Sequence, residues 1–491
     1  MPDGTTLTPD LAIIGGGAAG ISLALALANA PISVVILESG GTDFDPLTQR
    51  LYLGSQKGVP YLPLDGSRLR FLGGSTNHWG GWCRPLEAID FETRSWLPHS
   101  GWPFPRQTLE PYFARAQALV EAGPFIYDEP KRWTAVLDTA PLALAQGGIY
   151  TSWFQFSKTR GSILPTHFGS RYASDLQRIQ NLRLYTYANV TGLRLSTDAA
   201  HLDHIDVATL SGRRFTIKPK YTVLAAGAIE NARLLLASND VLRTGVGNSG
   251  DCVGRYFADH PIPRDTATMV VFNGKLPGFY RDFIDADGAV VRATFAPNAG
   301  YRTSRKALSS LTTVDDAVEL DDLGRAAIAT AASSLGIDYS AAKAYSLGCG
   351  MELAPDPARR VYLTTERDQL GMQRLCLDMR ISDSDLESYR ASLTELGRQL
   401  LAAGTGMIRL DRKTRAEWLS VMDWGNHHMG TTRMHDDPHQ GVVDSNLAVH
   451  GVPNLFVAGS STFPTYGASN PTLNLIALTL RLADHIRSFF R

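Results

Sequence analysis

The chain has 491 residues, with 47 Lys and Arg against 48 Asp and Glu, a formal net charge of −1. That balance lacks the basic excess of a nucleic-acid binder, and 44% apolar with 19% charged residues excludes disorder and allows two large lobes with buried cores. The 45 glycines are about 9% of the chain, above the usual ~7%, which points to special backbone sites.

The first ten residues, MPDGTTLTPD, show neither a basic n-region nor an apolar h-region. A cytoplasmic protein is expected, with export alongside a signal-bearing partner left open. Leu11 to Leu37 carries no charged residue and is long enough on paper to span a bilayer. A different reading fits its glycines better. Leu11–Ile14 suits a buried parallel strand. Gly15-Gly16-Gly17-Ala18-Ala19-Gly20 satisfies G-x-G-x-x-G, Ile21 to Asn29 reads as helix, and Ile32 to Leu37 is a second strand ending on Glu38. This is the βαβ dinucleotide unit in its required context. Gly15 permits the tight turn, Gly17 lets the backbone approach a pyrophosphate, and Gly20 lets helix and strand pack closely. The helix start at Ala18 and Ala19 offers free N–H groups and a positive dipole end to phosphates. Glu38 lies 18 residues past Gly20, where a carboxylate accepts from ribose hydroxyls and repels a 2′-phosphate. The motif alone does not separate FAD from NAD.

Residues 68–85 form a second glycine-rich loop that reads FLGGSTNHWGGWCRP from Phe71. A strand-like run follows from Leu182 to Val190. Tyr221 to Ala226 is another strand, with Gly227 and a helix from Ile229 to Ser238 after it. Residues 263–417 change texture: strand-like runs, a helical and partly acidic stretch near Asp315 to Leu335, and a Pro355-Asp356-Pro357 turn before the strand Val361–Leu363. Leu455–Ala458 reads as a buried strand. The last helix starts with Asn470 as N-cap and Pro471 at N1, and Leu475, Leu478, Leu482 and Ile486 share one face. The expected fold is α/β: a discontinuous Rossmann-like domain from residues 1–95, 168–262 and 418–491, with an inserted second domain from 96–167 and 263–417. Cys83, Cys252, Cys349 and Cys376 have the spacing of neither a disulfide framework nor a cysteine zinc site and read as free thiols.

These motifs resemble the glucose–methanol–choline (GMC) family of flavin oxidoreductases, in order over nearly the whole chain. They are GGGAAG with Glu38, LGGSTNHWGG at 72–81, LAAGAIENARLLL at 224–236, VGRYFADHP at 253–261, HHMGTTRM at 427–434, GVVDSNLAVHGVPNLFVAGSS at 441–461 and GASNPTLN at 467–474. The resemblance implies FAD rather than NAD and a substrate domain built on an antiparallel sheet. It implies flavin contacts from Gly73, Gly74, Thr76, Asn77, His78, Val190, Ala226, Gly227, Gly459, Ser460, Ser469, Pro471 and Thr472. Glu230-Asn231 departs from the Ser/Thr-Pro pair of many members. Asn470 replaces a common His, as in the pyranose- and cholesterol-oxidising branches. The pattern E-x-A-P-x-P then R-V-x-L is similar to sugar- and polyol-oxidising members, so the expected substrate is a CH–OH group of a sugar, glycoside or related alcohol. Oxygen, a quinone or a redox partner is the expected acceptor, and a homo-oligomer or partner subunit stays open. Members that keep FAD structurally and cleave hydroxynitriles supply an alternative, as does a flavoprotein subunit of a multi-subunit dehydrogenase.

Oxidising an alcohol needs a base near operating pH for the hydroxyl proton while hydride goes to flavin N5, and histidine is the default. His427 matches the family's catalytic histidine, three residues before Gly430, with Asn470 as its partner. His428 is the competing reading. Asn470 also caps the final helix, whose positive end would support negative charge near flavin N1 and C2=O. Trp79, Trp424, Tyr466 and His428 are substrate-contact candidates, weighed against simple packing. His427, His428, His435, Asp436, Asp437 and His439 lack regular ligand spacing, so no metal site is expected. G-x-S-x-G is absent, which removes a serine hydrolase. His78 stands where covalent members of the family carry the histidine bonded to the flavin 8α carbon. The residue leaves two readings open, that bond or a hydrogen bond nearby.

Overall fold

A computed structural model describes residues 3–127, 129–137, 139–158, 164–284, 287–411 and 413–490. Its organising element is a six-stranded sheet in the order Ala448–Val449, Val452–Val457, Tyr221–Leu224, Leu11–Ile14, Val34–Leu37 and Leu182–Tyr185. All neighbours run parallel except the edge pair 448–449 with 452–457. Leu11–Ile14 and Val34–Leu37 are buried at every position, as apolar runs covered on both faces must be. From the central strand Leu11–Ile14 the chain goes to Val34–Leu37 on one side, and Tyr221–Leu224 lies on the other. That reversal opens a crevice beyond the strands' carboxyl ends, where ligands of open α/β sheets bind.

The helix Ala18–Ala26 packs between this sheet and the final helix Pro471–Ser488. A Cβ at Gly20 would fall 2.0 Å from the Gly15 carbonyl oxygen, so the close helix–strand approach requires glycine. The uncharged stretch from Leu11 to Leu37 is therefore strand, turn, helix and strand. Among the described residues no helix is long and apolar enough to cross a membrane.

The second layer is an eight-stranded antiparallel sheet. Its order is Gly406–Leu410, Ala267–Val271, Lys343–Met351, Ser310–Val318, Val290–Pro297, Ile149–Phe156 and Trp82–Cys83, with Phe283–Ile284 beside Val290–Pro297. Trp82–Cys83 thus carries the second glycine loop into this sheet. A smaller sheet joins Arg360–Arg367 and Gln373–Met379 to Ser55–Gly58. Between the layers Arg302, fully buried, donates to Asp90 at 2.7 Å and Glu352 at 3.3 Å, and Arg94 donates to Glu352 at 3.1 Å.

Two element readings change. The run from Leu182 to Val190 breaks at Tyr187, whose φ of 55° ends one strand before Asn189–Leu195 begins another. Asp315 to Val318 completes a strand, because the β-branched run Thr312-Thr313-Val314 before it pairs with Leu347–Cys349. The helix there spans Asp322–Ser334 and starts only after Asp321, whose side chain accepts from the Gly324 N–H at 2.7 Å. All four cysteines are buried and free.

Candidate active site

A cavity of about 280 Å³ opens at the carboxyl ends of the parallel strands. Gly15, Gly17, Ala18, Ala19 and Glu38 line it. A Cβ at Gly17, Gly227 or Gly459 would meet nothing within 4 Å, so these backbones face open space. Glu38 is 5% exposed; its carboxylate accepts from the Gly16 N–H at 2.8 Å and the Gly40 N–H at 2.7 Å. It braces the glycine turn as well as facing the cavity. Gly20 does not line the cavity and serves packing.

Two helix N-termini point into this space. No side chain caps the first at Gly17 or the second at Asn470, so their N–H groups stay free for a ligand. Asn470 occupies the N-cap position, but its amide turns to His427 instead of back to the helix. That corrects the capping role read from the sequence. Pro471 and Thr472 line the cavity with Val190, Ala226, Gly227, Gly459 and Ser460.

In the second glycine loop Gly74, Thr76 and His78 line the cavity, while Gly73 and Asn77 do not. Gly73 makes the turn at φ 96°, where a Cβ would sit 2.5 Å from the Gly169 nitrogen. The Asn77 amide donates to the Leu72 carbonyl at 2.9 Å and holds the loop closed. Ser469 faces away: its hydroxyl donates to the Pro85 carbonyl at 3.4 Å and borders a separate small cavity. Burial, then the nearby His167, lowers the pKa of His78 below the usual imidazole range.

His427, Asn470 and His428 meet at the cavity wall. His427 Nε2 is 3.1 Å from Asn470 Nδ2, and its Nδ1 is 2.8 Å from His260 Nδ1. Asp259 holds this pair from behind: it accepts the His427 N–H at 2.8 Å, the His260 N–H at 2.7 Å and the Tyr61 hydroxyl. Burial drives the His427 pKa well below the ordinary value, with the His260 imidazole adding to it. Burial also lowers His428 to about 3 and His260 to about 4, and raises Asp259 to about 6. His427 is therefore neutral at pH 7, the form that can take a proton. The His428 ring lies 5.6 Å from Phe257 and 6.1 Å from Tyr61, centroid to centroid.

Trp79 lines the cavity and donates from Nε1 to the Thr166 carbonyl at 3.1 Å. Trp424 and Tyr466 do not line it. Trp424 donates to the Pro60 carbonyl at 3.0 Å and packs on Tyr61, and the Tyr466 hydroxyl donates to the Leu353 carbonyl at 2.6 Å. Both are packing residues. Sequence reading missed Asn426, His260, Asp259 and the buried pair Arg68 and Arg70, which ion-pairs with Glu230 at 3.0 and 3.4 Å. Of these, Asp259 and His260 lie in the VGRYFADHP block. Among the described residues no three His, Cys, Asp or Glu side chains converge to hold a metal.

The residues fit a dinucleotide with a polar ring system at one end. Open glycine faces and two uncapped helix starts suit a pyrophosphate. Asn426 Oδ1 and His428 Nε2 are buried at the cavity wall without a hydrogen-bond partner among the described residues, ready for a polar ligand edge.

Residues 355–479 match the family model described as GMC oxidoreductase, and residues 10–246 match one described as FAD dependent oxidoreductase. The last quarter of the chain is thus similar to the GMC oxidoreductases, and its first half to FAD dependent oxidoreductases. FAD is the dinucleotide of this protein, and its fold is that of FAD-dependent oxidoreductases. It is 30% identical over 276 residues to the fructose dehydrogenase large subunit of Gluconobacter japonicus, covering 54% of this chain and 47% of that one. It is 30% identical over 295 residues to the C-glycoside 3-oxidase of Microbacterium trichothecenolyticum, covering 57% and 49%. The chain thus spans about half the length of these two curated relatives. The crystal structure of pyridoxine 4-oxidase from Mesorbium loti shares the fold, with a TM-score of 0.62 at 20% identity over 97% of this chain and 98% of that one.

Proposed function

We propose that this protein is a GMC oxidoreductase that oxidises a CH–OH group of a sugar, glycoside or related alcohol, with His427 as base and Asn470 as its partner. One observation carries the reading: the neutral His427 Nε2 faces the Asn470 amide at 3.1 Å on the wall of the dinucleotide cavity. Bound FAD supplies the acceptor for the hydride that leaves the carbinol carbon. The chain's residues do the rest. The Asn470 amide holds the substrate oxygen beside Nε2, and Nε2 takes the hydroxyl proton. The relatives named for fructose and C-glycosides favour a carbohydrate substrate. In this reading residues 1–95, 168–262 and 418–491 hold FAD, and 96–167 with 263–417 frame the substrate. Trp82, within 1–95, pairs into the antiparallel sheet and lines the cavity, so the two parts meet there. The relative named as a large subunit favours a partner chain among the acceptors, beside oxygen and quinones.

The test is a screen of free sugars, C- and O-glycosides, polyols and simple alcohols with a dye acceptor. Purified protein is expected to be yellow, to release or retain FAD and not NAD, and to reduce the dye with a carbohydrate. Turnover confined to simple alcohols would remove the carbohydrate part. His78 gives a separate prediction, because it lines the cavity. If it bonds the flavin, acid-precipitated protein keeps its yellow colour in the pellet, and His78→Ala loses it. All flavin in the supernatant rejects the bond.

A further inference from the structure

Counting hydrogens along the buried histidine pair assigns a role to His260. This residue closes the VGRYFADHP block with Pro261, 167 positions from His427, and is 2% exposed. Its Nε2 lies 2.9 Å from the Gly467 carbonyl oxygen. A carbonyl only accepts, so that nitrogen carries the hydrogen. A neutral imidazole has one N–H, so His260 Nδ1 is a lone pair. It lies 2.8 Å from His427 Nδ1. Two lone pairs at that distance would repel, so His427 Nδ1 must carry the hydrogen and donate it. His427 Nε2 is then the free lone pair, and the Asn470 amide N–H at 3.1 Å donates to it. Each hydrogen bond fixes the next, starting from a backbone carbonyl that cannot change roles.

We propose that His260 is a positioning residue that locks His427 in the Nδ1–H tautomer, so that the basic Nε2 faces the substrate hydroxyl. Which imidazole nitrogen is basic is set by the hydrogen bond the other one makes. Without His260 the ring of His427 would share its hydrogen between the two nitrogens, and the Nε2–H form has no base to offer the cavity. When Nε2 takes the hydroxyl proton, the Nδ1–H bond to His260 becomes charge-assisted and supports the imidazolium. Asp259 keeps both rings in register, because one carboxylate oxygen accepts both backbone N–H groups. The proposal rests on His427 as the base of alcohol oxidation, but its geometry is independent of the substrate.

Two substitutions separate the lock from simple packing. In His260→Asn the amide oxygen stands near the former Nδ1 and accepts from His427, while the reach to Gly467 is lost. In His260→Gln the terminal amide stands near the former Nε2 and keeps Gly467, while the acceptor for His427 is lost. The lock predicts flavin reduction within about threefold of wild type in His260→Asn and about 10- to 100-fold slower in His260→Gln, a partial loss of what a general base contributes. Packing predicts the reverse order, and equal losses in both variants likewise overturn the proposal. Nitrogen-15 spectra of histidine-labelled holoenzyme give a readout that needs no turnover, with His427 assigned by its loss in His427→Ala. Wild type and His260→Asn should show an unprotonated Nε2 and a protonated Nδ1, and His260→Gln a mixture. A protonated Nε2 in neutral wild-type protein would overturn the lock even if the enzyme oxidises alcohols. A locked tautomer in a protein that oxidises none would leave the lock standing and remove the function.

Discussion

His427→Ala should lower the rate of flavin reduction by about 10²- to 10⁴-fold, the range for a lost general base, while FAD stays bound. The side chain sits at the cavity wall, and the dinucleotide end is built from other segments: Gly15 to Ala19, Glu38, and the start of the final helix at Pro471. Removing one imidazole leaves that cradle intact, so flavin content should match wild type. Stopped-flow reduction under anaerobic conditions measures the rate, and the visible flavin band measures the content. The acid side follows from the sign of the shift. Burial depresses the His427 pKa, so the base remains unprotonated below the usual imidazole range. The acid limb of flavin reduction in wild type should therefore lie below pH ~6.5, the unperturbed value. A crippled His428→Ala beside a nearly normal His427→Ala would reverse the assignment.

Asn470→Asp should be worse than Asn470→Ala, although Asp is the better helix cap. Alanine removes one neutral hydrogen bond to His427 Nε2, worth about tenfold. A carboxylate at that position would face Nε2 from the amide's 3.1 Å separation and favour the imidazolium. Its opposite charge raises the His427 pKa, so the ring is protonated over more of the neutral range and has no lone pair for the substrate. A negative side chain would also offset the positive end of the final helix and weaken its support for negative charge on a reduced flavin. The expected loss at pH 7 is about 10²-fold. It should shrink as pH rises through the raised pKa, whereas the loss in Asn470→Ala should not. Equal or faster turnover in the Asp variant across the pH range would remove the argument.

The dinucleotide half was legible because its signals are local. Gly15, Gly17, Gly20 and Glu38 are fixed by the geometry of one turn, and the structure uses each near where the spacing puts it. Motif adjacency carried less information about direction. Trp424 neighbours the histidine block, but it lies on the strand Met422–Trp424, where Pro261 opposite it and the Pro60 carbonyl turn the indole into the protein. Ser469 and Asn470 are consecutive at a helix start and face different cavities. Asn77 sits inside the loop that holds the cofactor, yet its amide is spent on that loop's own backbone. Asn470 showed a capping residue at a capping position, and only the fold reveals that its amide serves His427. His260 was illegible for a different reason: its partner lies 167 residues away, and no single-sequence pattern encodes a pairing at that range.

Anaerobic bleaching of the flavin tests the central claim most directly. Under an oxygen-free atmosphere, a carbohydrate from the dye-linked screen should abolish the visible flavin band of wild-type protein and leave that of His427→Ala nearly unchanged on the same timescale. Dithionite should bleach both, which shows that both flavins are reducible. If dithionite bleaches wild type but no sugar, glycoside or alcohol does, and the protein instead cleaves a hydroxynitrile with its flavin oxidised throughout, FAD is structural here and the assignment of His427 to CH–OH oxidation is contradicted.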